Sequence, residues 1–427
     1  MSRNRSLERL GAALLAAATL TLLLVPSTWA ASKYKTLYRF KGGKTGPFAG
    51  LIIDKTGNLY GTTLQGGTYG YGTVFQLTTH PGGGWTERVL HSFNNDGHDG
   101  VSSYAGLISD KEGNLYGTTY YGGNGACSSG QFPGCGTVFK LTPLVSGKWQ
   151  ETVIYNFTAG SDGAFPAAAL TFDADGNLFG TTASGGLGSC NLGGYVGCGT
   201  VFELTPSNGG WTETVLHSFG GGTDGQFLEG GVVEDKAGNF YGTTEEGGGS
   251  GCSCGTIFKL ALSNGVWAKT LLYTFTGGAD GGYPIGNPIF DSAGNLYGVT
   301  LQGASHGIGT VFELMQSSGG WTETVLHTFC SRTNCDDGSL PFAGPIFGQA
   351  GNLYGTTRSG GSGGFGVVFK LAPTSNGEWN EIVLHNFLNH PGAEPYAGLI
   401  FDAAGNLYGT TAGDAVTTFG SVFEITP

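Results

Sequence analysis

Four cysteine pairs, five Asp-Gly steps that recur at one place in a repeat, and a scatter of loop aromatics are the residues of this 427-residue sequence whose types could do chemistry. The eight cysteines fall into tight local pairs, Cys127/Cys135, Cys190/Cys198, Cys252/Cys254 and Cys330/Cys335. An even set in neighbouring pairs reads as disulfides that rigidify loops, with Cys252/Cys254, one residue apart, the pair that bridge geometry favours least. Zinc is the alternative, but no His-plus-Cys cluster has ligand spacing. The Asp-Gly steps stand at Asp99, Asp162, Asp224, Asp280 and Asp337, and the aromatics at Tyr69, Tyr71, Tyr120, Tyr121, Phe132, Tyr195 and Phe365. Rings beside carboxylates and Gly-rich backbone suit carbohydrate, since rings stack on apolar sugar faces while Asp bonds hydroxyls. The competing reading has the rings covering loop glycines and the Asp residues capping loops. Paired carboxylates could work on a glycosidic bond, and His98 or His306 could act as a base. No pair stands out from the repetition, however, and no GxSxG, HExxH or phosphate-cradling loop is present. No catalytic residue, metal or cofactor is assigned.

The elements that must position these residues come from a repeat. The string GNLYGTT begins at Gly57, and near-copies begin at Gly113, Gly176, Gly238, Gly294, Gly351 and Gly405, at intervals of 54 to 63 residues. Each unit holds four apolar segments, in the first unit Ala49 to Asp54, Asn58 to Thr63, Gly72 to Thr78 and Trp85 to Phe93. They are short, rich in Val, Ile, Phe, Tyr and Thr, and bounded by Gly, Asn, Asp or Pro, which are strand signatures. DKTGN and its copies between the first two strands read as tight hairpins, with Asp accepting a backbone hydrogen bond and Gly taking positive φ. Asp173-Ala174-Asp175-Gly176 also invites a calcium reading, but Ser184 stands where such a loop needs Glu. Four strands repeated seven times predict an all-β, seven-bladed β-propeller. The opening YKTLYRF (Tyr34 to Phe40) lines up with a fourth strand and the closing GSVFEITP with a third, so the last blade should close 3+1. GNLYGTT is thus a building part. So are the fourth-strand His91, His217, His327 and His385, replaced by Tyr38, Tyr155 and Tyr273 in other units, and the Trp residues that open the strand.

Residues 1–30 are read as a secretory leader: Arg3, Arg5 and Arg9, then an apolar run from Leu10 to Val25, Pro26, and small residues before a cut after Ala30. Removing a leader of net +2 from a chain of −12 leaves a mature charge of −14. Nucleic acid and anionic lipid both need a basic surface, so neither is expected as a partner. No membrane span is expected after cleavage, and a monomer is expected.

The motif DG..P.AGLI.D..GNLYGTT, followed by GTVFELTP and WTETVLHSF, resembles the GloVer tandem-repeat family of exported bacterial proteins over the whole mature chain. Members often carry a C-terminal anchoring segment ("choice-of-anchor"), and this chain stops at Pro427 without one, which implies release or attachment through a partner. The resemblance implies a bacterial, extracytoplasmic setting, secreted or periplasmic or at the cell surface, and carries no catalytic role. The second-to-third loops and the crossovers should share one face, with the DxxGN hairpins opposite. Variable, bridged loops on a rigid scaffold are where binding resides. The expected function is a binding module for an extracellular glycan or surface protein through that face. The alternatives are a polysaccharide lyase or hydrolase and a structural envelope protein.

Overall fold

The computed structural model describes residues 32–41, 46–127, 132–249, 251–303, 307–388, 392–413 and 419–427. Residues 1–30, expected to be a leader, and Lys44, His306 and His390 lie outside them. Seven four-stranded antiparallel sheets follow one another along the chain. Blade 1 is Ile52–Ile53, Leu59–Thr63, Thr73–Thr79 and Trp85–Ser92. Blades 2 to 6 repeat it, starting at Ile108–Ser109, Thr171–Phe172, Val233–Glu234, Gly282–Phe290 and Ile346–Phe347. Blade 7 is Ile400–Phe401, Leu407–Thr411 and Ser421–Thr426, with Lys33–Arg39 paired antiparallel to the last as its fourth strand.

Each letter of the repeated string has a physical task. Gly61 lies opposite Phe75 in the ladder, and a Cβ there would sit 2.7 Å from the Phe75 ring. The same Gly–Phe apposition recurs from Gly117/Phe139 to Gly409/Phe423, so the Phe ring lies over bare backbone in every blade. The Phe closing each outer strand then packs edge-on against the third-strand Phe of the next blade. Phe93–Phe139 stands at 5.2 Å and Phe387–Phe423 at 5.2 Å. The seventh such junction is made by the N-terminal segment, Phe40 on Phe75 at 5.0 Å. These rings are almost fully buried and form the radial core between blades.

The first Thr of Gly-Thr-Thr joins neighbouring blades. Its hydroxyl donates to an inner-strand carbonyl of the next blade: Thr62 to Ala105 at 3.0 Å, Thr118 to Ala168 at 3.2 Å, Thr181 to Gly230 at 2.9 Å, Thr356 to Ala397 at 2.8 Å and Thr410 to Ala49 at 3.0 Å. This explains why the inner strand is shorter than expected. Only Ile52–Ile53 of the Ala49 to Asp54 segment forms ladder, because the Ala49 carbonyl is turned to the preceding blade. Blade 5 departs from the pattern. Its inner strand passes through Gly286 at φ +71, and the Thr243 hydroxyl, whose counterparts bond into that segment, is buried without a partner among the described residues. Val299 stands where the other blades place this Thr.

The DxxGN turns are hairpins stapled by their Asp. Asp54 accepts the N–H of Thr56 at 2.8 Å and of Asn58 at 2.9 Å, the Asn58 amide at 2.8 Å and the Tyr60 hydroxyl at 3.0 Å. The Asp173 copy makes the same turn, accepting the N–H of Asp175 and of Asn177 and the Asn177 amide.

All four cysteine pairs are disulfides: Cys127–Cys135, Cys190–Cys198, Cys252–Cys254 and Cys330–Cys335. No described cysteine is free. Cys252 and Cys254, the pair that bridge geometry favours least, are bridged like the others, with Cα atoms 5.2 Å apart. All eight cysteines lie outside the blade strands, in the connections where the sequence puts them. Cys135, Cys198 and Cys254, the second member of three pairs, are buried in the hydrophobic clusters between blades. Cys335 instead ends a short 3-10 turn, Thr333–Cys335, with φ 56. No described helix is long and apolar enough to cross a membrane.

Candidate functional site

The five Asp-Gly carboxylates are held by their own crossover loops. Asp99 accepts the Asn94 N–H at 3.0 Å and pairs with His91 at 2.9 Å. Asp162 accepts the Thr158 N–H at 2.8 Å and the Tyr155 hydroxyl, and Asp280 does the same with Thr276 and Tyr273. Asp224 takes the Gly220 N–H, His217 and Lys269, and the fully buried Asp337 takes Ser331 and faces His327 at 3.5 Å. The outer-strand His91, Tyr155, His217 and Tyr273 are thereby tied to a loop cap.

Across these outer junctions the next blade sends another charged side chain. Glu151 faces Asp99 and His91, Glu213 faces Asp162, and Glu323 faces Asp280; burial and the facing carboxylate push each of the three up to about 7. Each has one carboxyl oxygen buried without a hydrogen bond among the described residues. Lys269 stands at this place in blade 4, bonded to Asp224 at 2.8 Å, and Glu381 reaches Arg332 at 2.6 Å. His91, Asp99 and Glu151 offer ligand atoms within 4.8 Å of one another.

The expected aromatics divide. Tyr69 is 54 % exposed. Phe365 packs partly buried against the core at blades 6 and 7. Tyr71 meets Phe132 at 6.1 Å, and Phe132 meets Tyr121 at 5.4 Å. Tyr121 meets Tyr120 at 4.9 Å, Tyr120 stacks on Phe165 at 5.1 Å, and Phe165 meets Tyr195 at 4.6 Å.

Tyr120 also touches Tyr104, at 5.2 Å, and Tyr104 is one of a ring of residues that the sequence did not single out. The blades' inner segments converge on a central cavity of about 520 Å³. Around its wall the seven blades contribute, in order, Phe48, Tyr104, Ala167, Glu229, Ile285, Phe342 and Tyr396. Neighbours in the repeat are near-invariant small residues, so this one variable position individualises an otherwise sevenfold channel. Deeper in, Gly50, Gly106, Ala169, Gly344 and Gly398 line the cavity together with Asn287, whose amide oxygen accepts the Gly231 N–H at 2.7 Å. A second variable set follows Gly-Thr-Thr: Leu64, Tyr120, Ala183, Glu245, Leu301, Arg358 and Ala412.

The two sets are brought together by a strained connection. Ser102, Phe165, Phe227, Tyr283, Leu340 and Glu394, at matching points just before the inner segment, all have φ between 56 and 60. Left-handed backbone in Phe or Leu costs on the order of 1–3 kcal/mol and persists only where surroundings over-determine it. Here each N–H donates to a loop carbonyl of the preceding blade. In three blades that carbonyl belongs to a bridged cysteine: Phe165 donates to Cys135 at 2.8 Å, Phe227 to Cys198 at 3.0 Å and Tyr283 to Cys254 at 2.7 Å. These three disulfides therefore brace the loop carbonyls that hold the strained positions of the rim. The fourth serves a neighbouring contact, since the Cys335 carbonyl accepts the N–H groups of Gly338 and Gly361, both at 2.8 Å. In five of the six strained positions, the carbonyl accepts the N–H that follows Gly-Thr-Thr in the same blade, as Phe165 does from Ala183 at 3.1 Å. The rim around the cavity is therefore rigidly set.

Rings run continuously along part of this rim. Phe342 meets Tyr396 at 5.0 Å, Tyr396 meets Phe48 at 4.7 Å, and Phe48 meets Tyr104 at 6.0 Å. The Arg358 guanidinium lies 4.9 Å over the Tyr396 ring and 3.5 Å from Glu394. On the far side burial raises the Glu229 carboxyl, and burial, Glu229 and Glu246 together push Glu245 up to about 7. An aromatic wall facing a crowded carboxyl pair can stack on a ring-shaped ligand and hydrogen-bond or protonate its polar edge.

No curated protein matches the chain. Many solved structures resemble it, and two serve as examples. One is a puromycin-hydrolyzing peptidase of Mycobacterium tuberculosis, 11% identical with a TM-score of 0.51, over 88% of this chain and 52% of that one. The other is a putative oxidoreductase (glucose dehydrogenase) of Thermus thermophilus, 13% identical with a TM-score of 0.46, over 92% of this chain and all of that one. The Gloeobacter/Verrucomicrobia repeat matches residues 24–254, 187–333 and 252–427, three overlapping stretches that together run through every blade. With the repeat's residues each accounted for in the blade, the chain belongs to the Gloeobacter/Verrucomicrobia repeat family.

Proposed function

We propose that this protein is an exported binding module that takes an extracellular glycan at the mouth of its central channel, on the face carrying the crossover and second-to-third loops. The observation that carries the reading is the departure from sevenfold repetition: an arc of rings from Phe342 through Tyr396, Phe48 and Tyr104 to Tyr120, facing Glu229 and Glu245. Sugar rings offer apolar faces to such an arc and hydroxyls to the carboxyls. Four disulfides are consistent with an extracellular protein and support a secreted or periplasmic setting.

The test is a thermal-shift screen of residues 31–427 against oligosaccharides and soluble polysaccharides. A ligand of the folded state raises the melting temperature by mass action. A dose-dependent rise with one sugar class, abolished in Tyr104→Ala and Tyr396→Ala, is expected. No rise with any sugar, from protein that melts cooperatively, overturns the reading in favour of a protein partner or a scaffold.

A second reading, hydrolysis or elimination on a polysaccharide, is favoured by one observation: Glu245 sits near 7 beside a second carboxyl, where general acid or base work is most effective. It requires new reducing or unsaturated ends on incubation with the bound sugar, and their loss in Glu245→Gln.

A further inference from the structure

Blade 3 contributes alanine to both variable sets, Ala167 on the cavity wall and Ala183 after Gly-Thr-Thr. Its neighbours contribute Tyr104 and Tyr120 on one side and Glu229 and Glu245 on the other. With only methyl groups between them the two walls face each other, and Glu229 is near enough to add to burial in raising both phenols. Beneath Tyr120 lies the Phe165 ring, and Tyr195 packs on Phe165 with its hydroxyl buried and unbonded among the described residues.

Three carboxylates elsewhere in the molecule are answered by a cation, Asp224 by Lys269, Glu381 by Arg332 and Glu394 by Arg358, whereas Glu213 facing Asp162 and Glu323 facing Asp280 at the outer junctions are not. Glu246, beside the pair, takes the Gln226 amide at 2.8 Å. Glu229 and Glu245 have no side-chain hydrogen bond or ion pair among the described residues, and no Lys or Arg figures among the charges acting on them. Empty, such a pair is relieved by holding protons. Occupied by a cation, both carboxyls can ionise, because an opposite charge within a few ångströms favours the charged form. The negative faces of Tyr104 and Tyr120 attract the same sign of charge. A neutral hydroxyl would answer one oxygen of one carboxyl; an ammonium answers both carboxylates and the rings together.

We propose that the subsite over blade 3 selects a sugar bearing a free amino group, seated as its ammonium between Tyr104 and Tyr120 on one side and Glu229 and Glu245 on the other. This rests on the glycan reading of the same cavity. Binding then exchanges a proton for the ligand's charge: the ammonium enters and the carboxyl pair releases H⁺ to solvent.

The experiment is isothermal titration of residues 31–427 near pH 6, in buffers of differing ionisation enthalpy, with three probes of equal length. These are a glucosamine oligomer, its N-acetylated counterpart and a neutral glucose oligomer. The glucosamine oligomer should bind at least tenfold more tightly than the other two and release protons. Glu229→Gln and Glu245→Gln, folded by circular dichroism, should lose the preference and the proton release. Equal affinity for all three, or a preference surviving both substitutions, overturns the amino-group inference and leaves the glycan reading standing. Binding of none of these probes, together with a blank response across the wider sugar screen, overturns both.

Discussion

Thr243 shows what a single hydroxyl is worth in this ring. Its counterparts Thr62, Thr118, Thr181, Thr356 and Thr410 each hold the next blade by one buried bond, whereas Thr243 is buried with none among the described residues. An unsatisfied buried polar group costs about 1–3 kcal/mol, and replacing it by an apolar isostere removes that cost. Thr243→Val, the residue blade 5 already uses at Val299, should therefore leave stability unchanged or raise it by about 1 kcal/mol. Thr181→Val, which orphans the Gly230 carbonyl, should lower it by about 1–3 kcal/mol. Urea midpoints at constant m-value decide the matter, and equal losses for the two variants would contradict the account. The same scale shows what the sequence concealed. Tyr120, Tyr121 and Tyr195 could be picked out because they stand in irregular loops. Tyr104, Glu229 and Tyr396 could not, because their neighbours repeat as scaffold and only the convergence of seven inner segments turns one variable letter into a cavity wall. The five Asp-Gly carboxylates illustrate the opposite difficulty: an exposed-looking polar residue in a loop can be taken up by that loop's own N–H groups and by side chains of the strands beside it. Cys198 and Cys254 add a third case, since their pairing was legible from spacing but their burial and their carbonyl's task were not.

At the scale of the element, the DxxGN hairpin is where local sequence speaks most directly. Asp235 accepts from the N–H groups of Ala237 and Asn239, the Asn239 amide and the Tyr241 hydroxyl. Asp235→Ala removes the acceptor for all of them, and the expected loss is about 1–3 kcal/mol, read again from the urea midpoint. A loss within error would mean that the Gly turn and the strand ladder hold the hairpin without the carboxylate. Blade 6 shows that the turn survives in another form. Gly348 replaces the Asp, the chain makes a 3-10 turn over Gln349–Gly351, and a Cβ at Gly348 would lie 2.5 Å from the Tyr354 ring. Strand number, order and turn type were legible because period, turn residues and Gly–Phe apposition all recur. The length of the inner strand was not, because its carbonyls bond to the preceding blade, and a partner so far along the chain leaves no local mark on the sequence.

At the scale of the molecule, charge sets a stability optimum on the acid side of neutrality. Glu151, Glu213 and Glu323 titrate near 7 in the fold through burial and a facing Asp, against about 4.3 when unfolded. Their contribution is fully present below about pH 4.3 and is lost as pH rises through about 7. Asp54, Asp110, Asp235 and Asp402 move the other way: burial opposes the shift, but hydrogen bonds from Asn side chains and backbone N–H groups outweigh it. Their contribution is present above about pH 3.9 and is lost as pH falls through their lowered values. The melting temperature should peak between about pH 4 and 6 and fall by pH 8. The alkaline decline should flatten in the triple variant Glu151→Gln, Glu213→Gln, Glu323→Gln. A melting temperature level from pH 5 to 8 would remove the junction carboxyls from the account. Lys33 pairs with Thr426 in the sheet of blade 7, so the first and last described strands run side by side. The circle therefore has no necessary starting point. Spliced head to tail through a short turn and cut instead at another DxxGN hairpin, the polypeptide becomes a circular permutant in which a different blade is completed from both ends, with every Phe–Phe junction intact.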